Sequence, residues 1–138
     1  MRVIENICLL LGRLLMGTYF ILPGLQKITN YQTMIDTMLA HDVPATDFLL
    51  PLTIVMQIIL GFAIIVGFKG KSAALILAGL TLVISIYIHD FWSMAESLER
   101  NHETQNFFKN MGIMAGLLMV SSIGTGWLSL DNRKANKI

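Results

Sequence analysis

The chain has 138 residues and a mass of 15.4 kDa, of which 54% are hydrophobic and only 14% charged, with a mean hydropathy of +0.65. A soluble domain carries about 25% charge, so this composition excludes a water-exposed globule and a disordered chain and indicates one integral membrane domain. The net charge of +1 leaves no electrostatic footprint for nucleic acid, and the single cysteine, Cys8, excludes an internal disulfide framework and cysteine-based zinc sites.

A membrane-crossing helix needs about 20 mostly apolar residues to cover about 30 Å of hydrocarbon. Four stretches meet this, at about 4–25, 48–68, 72–92 and 107–127, and they predict an all-α, four-helix membrane bundle that fills the whole chain, 1–138, as one domain. The first stretch reads as a retained helix rather than a signal peptide: Arg13 interrupts its apolar run, and Leu22-Pro23-Gly24-Leu25-Gln26 is a poor cleavage site. Pro23 predicts a kink near its end. Between the first two spans, Tyr31, Met34, Ile35, Met38 and Leu39 fall at i, i+3, i+4, i+7 and i+8, the apolar stripe of a short amphipathic helix. That helix either lies in the membrane interface or caps the bundle. Lys69-Gly70-Lys71 is a tight link between spans two and three, and the polar stretch 93–105 reads as solvated helix or coil.

Lys and Arg collect in cytoplasmic loops. Arg2, Lys69, Lys71, Arg133, Lys134 and Lys137 share the side of the termini, against Arg100, Lys27 and Lys109 on the other, so both termini are predicted to be cytoplasmic. Lipid is as apolar as leucine, so small residues and buried polar contacts must join the helices. Gly12, Gly17 and Gly24, Ala74, Ala78 and Gly79, and the Gly112-x-x-x-Gly116 pair are the expected close-approach points.

The polar residues inside the spans carry the functional reading. Arg13 falls near mid-depth of span one, where an arginine costs at least about 2.5–3.5 kcal/mol and therefore faces the bundle; its available partners are Gln57 at similar depth in span two, backbone carbonyls or a ligand. Gly17, Phe20, Gly24 and Lys27 continue the helical face of Arg13, so Arg13 and Lys27 are expected to look into one space. Ser85, His89 and Trp92 share a face of span three, and Asn106 and Lys109 a face of span four. Lys27, His89, Asp90, Trp92, Asn106 and Lys109 thus reach one level near the outer leaflet, each explicable singly as an interfacial anchor. There is no second intramembrane histidine for a bis-histidine haem, no nucleophile–histidine–acid spacing, no dinucleotide fingerprint and no metal-ligand cluster. The remaining chemistry is a lipophilic cavity with donors for carbonyl oxygens, suited to a quinone head group or another lipophilic carbonyl compound. Histidine exchanges protons near neutral pH, and His89 would accept one from a quinol.

Gly12-Arg13-Leu14-Leu15, Phe20-Ile21-Leu22-Pro23-Gly24-Leu25-Gln26-Lys27, His89-Asp90-Phe91-Trp92, Asn106-Phe107-Phe108-Lys109-Asn110 and a closing Gly124-Thr125-Gly126-Trp127-Leu128-Ser129-Leu130-Asp131 stand in an order that resembles the DoxX family of small four-helix membrane proteins. The resemblance runs over about Leu9 to Asp131. It implies a bacterial inner-membrane, multi-pass protein, and a small subunit or accessory factor of a quinone-linked redox system. The family commonly has a glutamate in span two where this chain has Gln57; glutamine carries neither charge nor a transferable proton, so no ion pair to Arg13 and no relay is implied there.

Three readings stay open. In the first, Arg13 and Gln57 order the interior while Lys27, His89, Trp92, Asn106 and Lys109 line an outer-side quinone site; no cofactor motif belongs to the chain itself, so electrons require a partner. In the second, the chain is a purely structural membrane subunit that docks on other membrane or redox proteins, or on itself. In the third, it carries a small lipophilic solute.

Overall fold

The computed structural model describes residues 2–135; Lys137, one of the residues used to orient the chain, lies outside the described residues. The elements in order are α1 (Arg2–Thr29), α2 (Tyr31–Ala40), α3 (Thr46–Val66), α4 (Gly70–Ile88), a 3-10 turn (Phe91–Ser93), α5 (Leu98–Ile123) and α6 (Leu130–Ala135), with no strand among the described residues. α1 packs on α3 and α5 on α4, while the turn at 67–69 joins the two pairs at the end that holds the termini.

Three helical segments are long and apolar enough to cross a membrane: Val3–Thr29, Thr46–Val66 and Gly70–Ser93. α5 does not reach that hydropathy. It starts nine residues before the expected 107–127, in the polar 98–106 stretch, and stops at Ile123, so its apolar part is short and leans on α4. The signal for its early start is Ser97, an N-cap whose Oγ accepts from Arg100 N at 3.1 Å, followed by Glu99 in the first turn.

Apolar side chains point outward as membrane solvent demands: Ile59, Phe62, Leu75, Val83 and Met119 are each more than half exposed. The interior is held by Phe20, Ile64, Leu77 and Leu117 against Ala73, Ala74 and Ala78, whose small side chains let the helices close up. α2 caps the bundle, burying Ile35 against Leu50 and Ile54, with Met34 and Met38 beside them.

The close approach lies between α1 and α3. A Cβ on Gly17 would sit 2.5 Å from Gly61 O, and one on Gly61 would sit 2.9 Å from Gly17 O. Gly112 behaves otherwise than its motif suggests. Among the described residues nothing lies within 4 Å of a Cβ built there, and Gly116 would meet only the flexible Met16 Cε at 2.9 Å, so this pair makes no backbone contact with them. Gly12 and Gly79 likewise face open space.

After α5 the chain folds back over the α3–α4 turn. Gly124 and Gly126 take φ of 99° and 77°, values that a side chain disfavours, and bury Thr125 and Ser129. The Asp131 carboxylate then accepts from Lys69 N at 2.7 Å and Gly70 N at 2.9 Å, satisfying free donors at the start of α4. Asp131 N donates to Gly67 O at 2.9 Å.

Candidate functional site

Arg13 belongs to that fold-back and not to a cavity. Its guanidinium donates to Ile64 O (3.0 Å), Ile65 O (2.5 Å), Thr125 O (2.8 Å) and Leu128 O (2.8 Å), and the residue is 2% exposed. The expected mid-depth position and the shared space with Lys27 are both corrected. α1 runs past the α3–α4 turn, so Arg13 sits level with the last turn of α3, at the terminal end of the bundle. Along the helix axis it lies about 21 Å from Lys27, with the Gly17–Gly61 contact and Phe20 between them. The helical face itself is as expected: Arg13, Gly17, Phe20 and Gly24 are all buried. Arg13 has backbone carbonyls for partners, not Gln57.

At the opposite end, Lys27 (α1), Gln57 (α3), His89 (the C-cap of α4), Asn106 and Lys109 (α5) line one cavity of about 200 Å³. Tyr19, Phe20 and Pro23 form its α1 wall and Thr81, Ile84 and Asn110 its far wall. Trp92 is not among them. α4 ends at Ile88, before the i, i+4, i+7 register reaches Trp92, and the 3-10 turn carries the indole outward. It is 53% exposed and packs edge-on against Phe91 and Phe107, the position of an interfacial anchor.

Two hydrogen-bonded chains frame the cavity. In the first, His89 Nδ1 lies 2.5 Å from Glu103 Oε2, Asn106 Nδ2 donates to Glu103 Oε1 at 3.4 Å, and Lys109 Nζ donates to Asn106 Oδ1 at 2.9 Å. In the second, Tyr19 Oη donates to Asn110 Oδ1 (3.0 Å), Asn110 Nδ2 to Ser85 Oγ (3.1 Å), and Ser85 Oγ to Thr81 O (2.6 Å). Glu103, Asn110 and Tyr19 were not among the expected site residues. Glu103, Asn106 and Asn110 follow i, i+3, i+7, a face that becomes visible once α5 is started at the Ser97 cap. Asp90 faces away from the cavity, with Oδ1 3.1 Å from His41 Nδ1 and Oδ2 accepting from Ser93 Oγ, and so fastens the end of α2 to the α4–α5 connection.

Gln57 is 5% exposed and its Oε1 has no donor among the described residues. A buried acceptor left unmatched costs about 1–3 kcal/mol. Gly24 sets the position of this side chain: a Cβ there would lie 3.3 Å from Gln57 Cβ and 2.9 Å from Ile58 Cγ1.

Lys27, Ile84 and His89 also line a second cavity, of about 600 Å³, between α2, α3 and α4. Its walls are Met34, Met38, Leu49, Leu50, Met56, Leu80 and Val83, among others, and are overwhelmingly apolar. A polar chamber and an apolar groove therefore meet at three shared residues. The groove lies within the common size range for small-molecule sites, about 300–1,000 Å³.

A bundle of long helices with apolar outer faces is an integral membrane protein. The sequence profile described as DoxX matches residues 8–90. The chain is 36% identical over 137 residues to inner membrane protein YqjF of Escherichia coli, covering 99% of this chain and 98% of that one. It is 25% identical over 127 residues to inner membrane protein YphA of the same organism, covering 92% and 90%. A shorter likeness, 32% over 77 residues, joins it to a surfeit locus protein 4 homolog of Drosophila melanogaster, of which it spans 28%. No solved structure matches. The chain belongs to the DoxX family, as a multi-pass protein of the bacterial inner membrane.

Proposed function

We propose that this protein is a small subunit or accessory factor of a quinone-linked redox system, with the quinone head group in the polar chamber and its tail in the groove. The observation that supports this is the junction of the two cavities at Lys27, Ile84 and His89, a polar end and an apolar channel in the order that an amphiphile requires. The residues fit such a group. Lys27 and Lys109 carry N–H donors for ring oxygens. His89, with Nδ1 held by Glu103, keeps Nε2 to accept or return a proton. A bound quinone supplies the two-electron chemistry; the chain's residues hold it and handle protons, and electrons pass to or from a partner protein. The basic residues at the terminal end favour cytoplasmic termini, which puts the chamber at the outer face and its proton exchange on that side.

The test is mass spectrometry of organic extracts from protein purified in mild detergent, wild type against a His89→Ala, Lys109→Ala double variant. Near-stoichiometric quinone in wild type, reduced at least about tenfold in the variant, is the expected result. Equal trace amounts in both, or a phospholipid in place of quinone, overturns the reading. The structural-subunit reading then takes precedence, favoured by the open faces at Gly12, Gly79 and Gly112. Its test is loss of a co-purifying membrane protein on Gly112→Leu.

A further inference from the structure

We infer that the site is loaded sideways: its ligand enters from the hydrocarbon of the bilayer, through a slot between α3 and α4, and not from water. The inference rests on the quinone reading above for the identity of the occupant, an apolar tail with a polar head. The slot follows from how the helices pair. Next to their turn, α3 and α4 pack together, with Leu60, Ala63 and Ile64 in one cluster with Ala73, Ala74 and Leu77. Farther along, each is drawn to a different neighbour. α3 closes on α1 at Gly17–Gly61, and again where Gly24 leaves room for Gln57. α4 is tied to α5 by the hydrogen bond from Asn110 to Ser85. Its Thr81 and Ser85 hydroxyls also donate to the carbonyls one turn back, at 2.7 and 2.6 Å, an arrangement that often bends helices. The wedge left between α3 and α4 toward the chamber is the groove of about 600 Å³.

The rim of the groove shows what it opens onto. Leu52, Val83 and Tyr87 line it, yet they are 40%, 53% and 41% exposed. A side chain that both lines a cavity and is exposed stands at the opening. These three lie on α3 and α4 inside the two apolar spans, where the surrounding medium is lipid. The end nearest water is bridged instead. There α2 contributes Met34 and Met38 to the wall and is fastened to the end of α4 by His41 Nδ1, 3.1 Å from Asp90 Oδ1. From His89 to Leu80 the groove runs about 13 Å along α4, close to the roughly 15 Å of hydrocarbon in one leaflet. A tail already lying in that leaflet passes into the groove without crossing water, and so escapes the cost of about 25 cal/mol for each Å² of apolar surface exposed. Its head travels along the chamber end of the slot to Lys27 and His89, which groove and chamber share.

The test uses the full chain, purified free of co-extracted lipid and reconstituted in phosphatidylcholine vesicles, with two photoactivatable diazirine probes. One is a hydrocarbon that partitions into the bilayer; the other is charged and confined to water. Peptide mass spectrometry maps the adducts. The hydrocarbon probe is expected to label Met56 and Leu80 on the groove wall as well as Phe62 on the outer face, and the charged probe is expected to label none of them. Val83→Trp, at an exposed position, fills the slot and is expected to lower labelling of Met56 and Leu80 at least about tenfold, while Phe62 is labelled as in wild type. Ile59→Trp, on the lipid face outside the groove, is expected to change nothing. Hydrocarbon adducts confined to the outer face, charged-probe adducts on Met56 or Leu80, or a Val83→Trp protein labelled like wild type would each overturn lateral entry. A decyl-substituted benzoquinone added to the vesicles is expected to remove the labelling of Met56 and Leu80. Labelling through the slot that the quinone does not suppress overturns the quinone reading and leaves lateral entry standing.

Discussion

Arg13→Met is expected to lower the unfolding free energy by about 3–5 kcal/mol, the larger of the two strongest effects in this molecule. The guanidinium joins three pieces of chain at one point: α1, the end of α3 and the fold-back. It donates to the carbonyls of Ile64 and Ile65 at the end of α3 and to those of Thr125 and Leu128 in the fold-back. Hydrogen bonds from a charged donor contribute about 1.5–3 kcal/mol each. Removing four exceeds the expected total, and the difference is the desolvation that a buried guanidinium no longer suffers. Arg13→Lys is expected to recover less than half, because one ammonium presents a compact cluster of donors where the carbonyls need a planar fork. Denaturant unfolding in detergent gives the magnitude, and proteolysis within 124–129 in the variant locates it. A loss below about 1 kcal/mol would falsify the clasp. Because Arg13 lies about 21 Å from Lys27 along α1, ligand content per folded molecule is expected to stay at the wild-type level. A direct ligand contact would not leave it there.

Arg13 also marks where the sequence stops being readable. Its burial, and the stripe through Gly17, Phe20 and Gly24 to Lys27, follow from helical periodicity, as does the amphipathic α2 that buries Ile35. Its partners do not. A backbone carbonyl leaves no trace in residue identity, and Thr125 stands 112 residues away. Only the turn formed by two positive-φ glycines brings the carbonyls of Thr125 and Leu128 to the end of α3. The opposite end of the bundle divides the same way. Lys27, His89, Asn106 and Lys109 were legible because they stand at the ends of the apolar stretches, and the ends of antiparallel apolar stretches share a level. Trp92 was misplaced and Glu103 overlooked for one cause: both depend on where a helix stops or starts, α4 at Ile88 and α5 at Leu98. A shift of a few residues at either boundary decides which side chains face the chamber.

The glycines divide into two groups that composition does not separate, and this carries the second large prediction. Gly17→Ala is expected to lower stability by about 2–3 kcal/mol, whereas Gly12→Ala, one and a half turns earlier on the same helix, is expected to stay within about 0.5 kcal/mol of wild type or to stabilise α1. The distinction is geometric. At Gly17 the new methyl would lie 2.5 Å from a backbone oxygen, Gly61 O, and against Ile65. Backbone cannot swing aside as a side-chain tip can, so α1 and α3 must part. At Gly12 nothing lies within 4 Å. Thermal unfolding of both variants in one detergent measures the difference, and similar midpoints would show that α1 and α3 are not held at this contact. The effect reaches the chamber, because the same interface fixes Phe20 and, through Gly24, the position of Gln57. A Gly17→Ala protein that still folds at low temperature is therefore expected to lose bound quinone together with stability, unlike Arg13→Met, which costs stability alone. The two variants thus separate the clasp that secures the bundle from the helix contact that shapes its site.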